Sequence, residues 1–267
     1  MQTVNNGYKL NQNKYLSFVT FDSLNNEGII NACTYKWADL TQKKKILNFS
    51  KNQQNKIYFK NLKLLNNCLK IKPDNIAVCK QVHSTNTAIV ESNAPIPEDR
   101  VLIHNSTDAL ITLKQNVMLL ITTADCVPIF IYEPEKKIIA NIHAGWRGTR
   151  QNILSSTIKT LIDRFKVKPE NCILCLGPSI GQCCFEVSNY VASLFKDDYG
   201  AEYLRLNDKT GKNHVDLKAV NIDVALSLGI KNGNIFNCNI CTCCNENFFS
   251  YRRDGLVGLS ANILMSK

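Results

Sequence analysis

No uninterrupted apolar run in this sequence is long enough to cross a bilayer as a lipid-facing helix. The strongest candidate, Val117 to Tyr132, is broken by Thr122, Thr123, Asp125 and Pro128, which argues against a membrane span. The first residues, Met1 to Gly7, lack the basic start and apolar stretch of a secretory signal, so the expected location is the cytoplasm. Low-complexity tracts, internal repeats and flexible linkers are missing as well, which excludes fibrous and repeat architectures. The expectation is one domain over residues 1–267.

Histidine is scarce: His83, His104, His143 and His214 are the only four. Acidic residues are outnumbered, 22 against 32 Lys and Arg, for a formal charge of +10. That balance suits acidic ligands. The lysines are spread along the chain, however, and the one tight cluster, Lys43-Lys44-Lys45, reads as solvated surface more than as a nucleic-acid interface. Cysteine, by contrast, is abundant at 12. Without an export signal these cysteines are expected to be reduced thiols, metal ligands or small core residues.

Residues 1–70 contain short apolar runs such as Tyr15 to Phe21 and one amphipathic helix over Ile57 to Leu69. From Ile76 the texture changes to short β-like runs: Ile76 to Val82, Thr87 to Val90, Ala109 to Thr112, Val117 to Thr122 and Pro128 to Tyr132. Ile138 to His143 reads as a buried strand ending at Ala144-Gly145-Trp146-Arg147-Gly148. A helix follows, with Leu154, Ile158, Leu161, Ile162 and Phe165 on one face and Pro169 closing the segment. A strand over Cys172 to Leu176, helices over Asn189 to Phe195 and Leu217 to Leu228, and a last strand including Phe248 to Arg252 complete the reading. Strands and helices interleave without a regular βαβ cycle, which favours an α+β fold of mixed β-sheets layered with helices.

His83 and His143 each fall where a strand meets a loop, and Cys126 lies beside Pro128, which limits ladder pairing and marks a strand edge or irregularity. Two imidazoles and a thiolate form a borderline-soft donor set suited to Zn²⁺, and three protein ligands leave a fourth position open. Residue types alone are also consistent with core histidines and a small buried cysteine. Cys172-Ile173-Leu174-Cys175 and Cys238-Asn239-Ile240-Cys241 both read C-x-x-C, but residues three apart on a strand face opposite sides, which argues against a metal between Cys172 and Cys175. Cys183-Cys184 and Cys241 to Cys244 read as packing rather than ligation.

Five segments carry a resemblance. They are Gln81-Val82-His83, Ala124-Asp125-Cys126-Val127-Pro128-Ile129, His143-Ala144-Gly145-Trp146-Arg147-Gly148, Gly177 to Val187, and Phe248 to Gly255. In this order they resemble the motif series of the laccase-domain family, also called polyphenol oxidase or multicopper polyphenol oxidoreductase. The resemblance implies a metal at His83, Cys126 and His143, zinc first and copper as the alternative. It further implies phosphorolysis of purine nucleosides (adenosine, inosine, guanosine, methylthioadenosine), together with adenosine deamination. Four histidines are too few for a blue copper site plus a trinuclear cluster, so the oxidase label fits poorly. The chain also departs from the family: Asn31-Ala32-Cys33-Thr34-Tyr35-Lys36-Trp37 lacks the usual Arg and glycines, and Gly258 is followed by Leu259.

For phosphate, the turn from Gly145 to Gly148 offers backbone N–H groups at a helix start, with Arg147 adding bidentate contact. Arg252 and Arg253 are expected to hold substrate or to pair with carboxylates such as Glu186. Asp125 is expected to orient an imidazole or to move a proton. Three other readings compete. One is a cysteine hydrolase or amidase with Cys126 as nucleophile and His143 or His83 as base. The second is polyphenol oxidation or peptidoglycan-precursor editing, as associated with relatives. The third is a basic nucleic-acid-binding protein.

Overall fold

The run Val117–Thr123 faces two environments, and its alternation explains the layering. Val117, Leu119 and Ile121 belong to one buried cluster and Met118 and Leu120 to another, because successive side chains on a strand point to opposite faces. The computed structural model describes residues 4–40, 43–50, 56–91, 97 and 101–267. Two large sheets pack face to face. The eight-stranded sheet runs in the order Tyr8–Gln12, Leu16–Phe21, Ile29–Leu40, Ser260–Ser266, Val117–Thr123, Asn75–Lys80 and Leu102–Asn105, with Lys43–Ile46 paired to Ile29–Leu40. The six-stranded sheet runs Ile235–Asn237, Ile173–Leu176, Val127–Glu133, Ile138–Ala144, Ala109–Thr112 and Thr87–Ile89.

Leu119 and Ile121 of the first sheet share a core with Phe130, Tyr132 and Ile139 of the second. Helix Lys56–Leu69 covers the outer face of the first sheet through Tyr58, Leu62 and Leu65. Helices Ile153–Phe165, Asn189–Tyr199 and Leu217–Ser227 cover the outer face of the second. Both sheets mix parallel and antiparallel pairs, so the α+β fold with mixed, helix-covered sheets is the one expected. A smaller sheet of Glu186–Val187, Lys212–Val215 and Leu204–Asn207 lies to the side. No helix among the described residues is long and apolar enough to cross a membrane.

Most expected elements recur within a residue or two, and the exceptions are informative. The strand from Ile76 stops at Lys80 instead of Val82. The N–H groups of Val82, His83 and Ser84 turn to the Asp108 carboxylate instead of a neighbouring strand. The strand expected over Phe248 to Arg252 does not form. A short helix, Tyr251–Asp254, begins there under a Ser250 cap, because the Arg252 N–H and the Ser250 hydroxyl are both bound by Asp125. Pro128 is not on an edge strand: Val127–Glu133 is flanked on both sides. Its missing N–H falls near the strand's first rung, beside the left-handed turn at Asp125 (φ 93°).

Two crossovers between the sheets set the site. Asn75–Lys80 and Val117–Thr123 are parallel neighbours, so their C-terminal ends emerge on the same side. Each chain then passes to the other sheet, one through residues 81–86 and the other through only Ala124, Asp125 and Cys126. His83 rides the first crossover and Cys126 the second.

Candidate metal centre

His83, Cys126 and His143 each bring one donor atom to within 4.8 Å of the others. Cys126 Sγ lies 3.8 Å from His83 Nε2, and the two imidazoles meet edge to face with centroids 4.8 Å apart. His143 is the penultimate residue of strand Ile138–Ala144 and stands opposite Pro128. Asp108, wholly buried, holds both histidines. Its Oδ1 meets His143 Nδ1 at 2.9 Å, and its two oxygens accept the N–H groups of Val82, His83 and Ser84 at 3.2, 3.0 and 2.7 Å. The Ser84 hydroxyl adds a further bond at 2.8 Å. These bonds stabilise His83 in the left-handed region (φ 61°), which histidine enters more readily than most non-glycine residues.

Electrostatics at the cluster favour a thiolate. Burial pushes the Cys126 thiol up, but the charge and hydrogen bonds of His143 and His83 outweigh it and bring it down to about 6. Burial opposes charge on His143 too, and Cys126 together with Asp108 overcomes this to raise it to about 9. Asp108 falls to about 2, because the hydrogen bonds from His143 and Ser84 outweigh its desolvation. A thiolate is the form of cysteine that binds metal or attacks carbon.

The glycines expected to cradle phosphate have another use. A Cβ on Gly145 would lie 2.7 Å from His83 Cδ2 and 3.0 Å from Cys126 Sγ, so the backbone passes against the cluster where no other residue fits. Gly148 is buried against Ser84 O, which a Cβ would meet at 3.3 Å. The helix after Gly145, Trp146–Arg150, is barely more than one turn, so its dipole is small. Arg147 is exposed, stacks over Trp146 at 4.3 Å and lines the adjoining pocket.

Asp125 does not orient an imidazole; Asp108 does. The Asp125 carboxylate accepts Thr242 Oγ1 at 2.6 Å, Ser250 Oγ at 3.1 Å and the Arg252 N–H at 2.7 Å. It thereby pins the C-terminal loop to the crossover that carries Cys126. Arg253 pairs with Asp254 at 2.6 Å, whereas Arg252 pairs with no carboxylate among the described residues. Its guanidinium donates to the carbonyls of Cys184 and Glu186 at 2.9 and 2.8 Å and lies 5.5 Å from the Phe185 ring centre. The Glu186 carboxylate faces Thr210, Lys212 and His214 instead.

The cluster opens into a cavity of about 690 Å³ lined also by Trp146, Arg147, Phe185, Tyr251 and Arg252, a volume usual for small-molecule sites. Sequence reasoning missed Asp108, Ser84, the Gln81 clamp and the aromatic wall. Gln81 grips the neighbouring strand end, donating to Thr122 O at 2.8 Å and accepting the Thr122 N–H at 2.9 Å. The sequence signal for Asp108 is an acid directly before the apolar run Ala109 to Thr112, with no basic residue beside it.

The fold and the cluster define an α+β protein with a two-histidine, one-cysteine centre at the crossing of two sheets. The family described as multi-copper polyphenol oxidoreductase laccase matches residues 41–267, and the chain belongs to it. It is 35% identical over 191 residues to a purine nucleoside phosphorylase of Bacteroides thetaiotaomicron, covering 69% of this chain and 70% of that one. It is 33% identical over 199 residues to adenosine deaminase RL5 of an unknown prokaryotic organism, covering 68% and 71%. Its structure is similar to that of YlmD from Geobacillus stearothermophilus, with a TM-score of 0.84 at 25% identity over 97% of this chain and 98% of that chain. The Bacillus licheniformis protein YfiH also gives 0.84, at 27% identity over 98% and 100%. The relatives are enzymes, and so is this chain.

Proposed function

We propose that the chain is a zinc-dependent purine nucleoside phosphorylase acting on adenosine, inosine, guanosine or methylthioadenosine. The observation that carries this is the His83, Cys126 and His143 cluster at the floor of a cavity walled by aromatic rings and two arginines. The donor set fits zinc. A tetrahedral ion with bonds of about 2.0 Å to nitrogen and about 2.3 Å to sulfur sets its donors about 3.5 Å apart, close to the 3.8 Å between Cys126 Sγ and His83 Nε2. His143 Nδ1 is engaged by Asp108, which leaves Nε2 as its ligand atom. When bound, zinc supplies Lewis acidity at its open position.

The remaining work belongs to the chain. Trp146, Phe185 and Tyr251 offer faces for a purine and its ribose. Arg147 and Arg252 hold the phosphate. Arg252 spends one donor on each of two carbonyls, and a guanidinium has five. In phosphorolysis a phosphate oxygen bonds to the anomeric carbon while the bond to the purine nitrogen breaks. Its electron pair stays on the base, which takes up a proton. Holding nucleophile and sugar in line lowers the barrier, which makes positioning the main task of the arginines and rings.

The test is turnover of purine nucleosides with and without phosphate by the wild type and Cys126→Ala. Phosphate-dependent release of free base with ribose 1-phosphate, lost in the variant, supports the reading; release of ammonia without phosphate points to deamination. The lowered Cys126 thiol beside His143 favours one second reading, a cysteine hydrolase. That reading requires activity that survives a chelator and is abolished by alkylation.

A further inference from the structure

Outside the pocket floor, four more cysteines converge. Cys183 and Cys184 lie in the loop before strand Glu186–Val187, and Cys241 and Cys244 in the loop after Asn237. Their sulfurs all fall within 4.8 Å of one another. Cys184 Sγ is 3.3 Å and Cys183 Sγ 3.6 Å from Cys244 Sγ, and all four are free thiols. A tetrahedral zinc with four sulfurs at about 2.3 Å spaces them about 3.8 Å apart, inside the observed range. Core packing does not account for the cluster, because Cys183 and Cys244 are exposed. We propose that Cys183, Cys184, Cys241 and Cys244 bind a second zinc ion as a tetrathiolate, separate from the His83, Cys126 and His143 centre.

The local chain is built for such a site. Cys241-Thr242-Cys243-Cys244 supplies a C-x-x-C pair on a loop, where both sulfurs can turn to one side, unlike Cys172 and Cys175, which enter different cores. The register differs from the C-x-x-C of Cys238 and Cys241, since Cys238 is buried among apolar residues. Gly181 runs close beneath: its N–H donates to Cys241 Sγ at 3.2 Å, and a Cβ there would meet Cys183 Sγ at 3.2 Å. Burial works to raise the Cys241 thiol, but the Gly181 N–H and neighbouring donors bring it down. Burial and the adjacent sulfurs push Cys183 up to about 11.

On binding, Zn²⁺ displaces the remaining thiol protons to solvent, with no electron transferred, and leaves a net charge of −2. Arg252 stands ready to offset part of it, donating to Cys184 O at 2.9 Å, while Arg253, itself paired with Asp254, donates to Cys243 O at 2.8 Å. Those bonds also tie the ion to the pocket, because Arg252, Phe185 and Tyr251 line its wall. The second zinc would brace the two loops that position Arg252.

The experiment is zinc stoichiometry after stripping, full reduction and reloading with zinc alone. Two ions per wild-type chain are expected, one in Cys126→Ser, and one in the double variant Cys184→Ser with Cys244→Ser. A reduced Cys126→Ser protein that binds none, or a double variant with wild-type content, overturns the proposal. So does a freshly purified protein two hydrogens lighter in mass at Cys184 and Cys244, which would mark a disulfide instead. Cobalt loading of the wild type covers the case in which the double variant fails to fold. Sulfur-to-cobalt absorption several times that of a one-thiolate site is expected, and absorption equal to a single thiolate contradicts the assignment. Because the Cys126→Ser arm reads the second ion alone, loss of nucleoside turnover or failure of the first centre leaves that ion count unaffected.

Discussion

Asp108 meets Nδ1 of His143 at 2.9 Å while accepting the main-chain N–H of His83 at 3.0 Å. One buried carboxylate therefore fixes two histidines by different means, one through its ring and the other through its backbone turn. The His83 and His143 side chains converge because Asp108 demands it.

Replacing Asp108 with Asn keeps the shape but turns one acceptor into a donor, so the side chain can no longer accept both from His143 and His83 at Oδ1 and from Val82 and Ser84 at Oδ2. Asp108→Asn should weaken metal binding by about 10- to 100-fold, measured by competition with a chromophoric chelator. Unchanged affinity would show that Asp108 has no part in holding the metal.

Gly145→Ala puts a methyl group against His83 and Cys126. Overpacking at such a site costs about 1–3 kcal/mol, and metal content should fall with it. Gly233, with open space around it and an ordinary φ, is the control: Gly233→Ala should change stability by less than about 0.5 kcal/mol. Urea denaturation and metal analysis of both variants check the contrast.

Asp125→Ala strips an acceptor from Thr242, Ser250 and Arg252 at once. Thr242 and Ser250 are buried, and buried donors left unpaired cost about 1–3 kcal/mol each, so a total loss of at least about 2 kcal/mol is expected from urea denaturation. A surface-like loss of a few tenths would show that Asp125 is not the anchor of the C-terminal loop.

The two pocket arginines should separate by readout. Arg147 is exposed and, among the described residues, its guanidinium engages the Trp146 face, so Arg147→Ala should raise KM for phosphate about 10-fold, as expected for one lost charge-assisted contact, with melting temperature unchanged. Arg252 also ties Cys184 and Glu186, so Arg252→Ala should raise KM and lower the melting temperature together.

In metal-free protein the Cys126 thiol is held down to about 6. The thiolate should persist as pH falls from 9 and disappear through about pH 6, whereas an ordinary cysteine loses it near about 8.5. Alkylation rates against pH, with the product located by peptide mapping, read this directly. Prior zinc loading should suppress the reaction at Cys126.

The five motif segments made the site legible before any coordinates, and the 2.0 and 3.6 residue periods made most strands and helices legible. What escaped depended on partners distant in sequence. The strand expected at Phe248 to Arg252 reads as β from its own residues, yet Asp125, 127 positions away from Arg252, takes the N–H that a ladder would need. Asp108 escaped because its partners lie 24 to 35 positions off, and its one local mark, an acid directly before an apolar run, names no partner. The glycines of the Gly145 turn were visible, but their purpose was not: close passage against a side chain from another loop leaves no local pattern.

Whether His83, Cys126 and His143 grip one zinc ion at the floor of the pocket is tested most directly by anomalous diffraction at the zinc edge from zinc-loaded crystals. A peak is expected within about 2.0–2.4 Å of the two ring nitrogens and the Cys126 sulfur; no peak there, with the metal supplied and Cys126 reduced, would contradict the zinc centre.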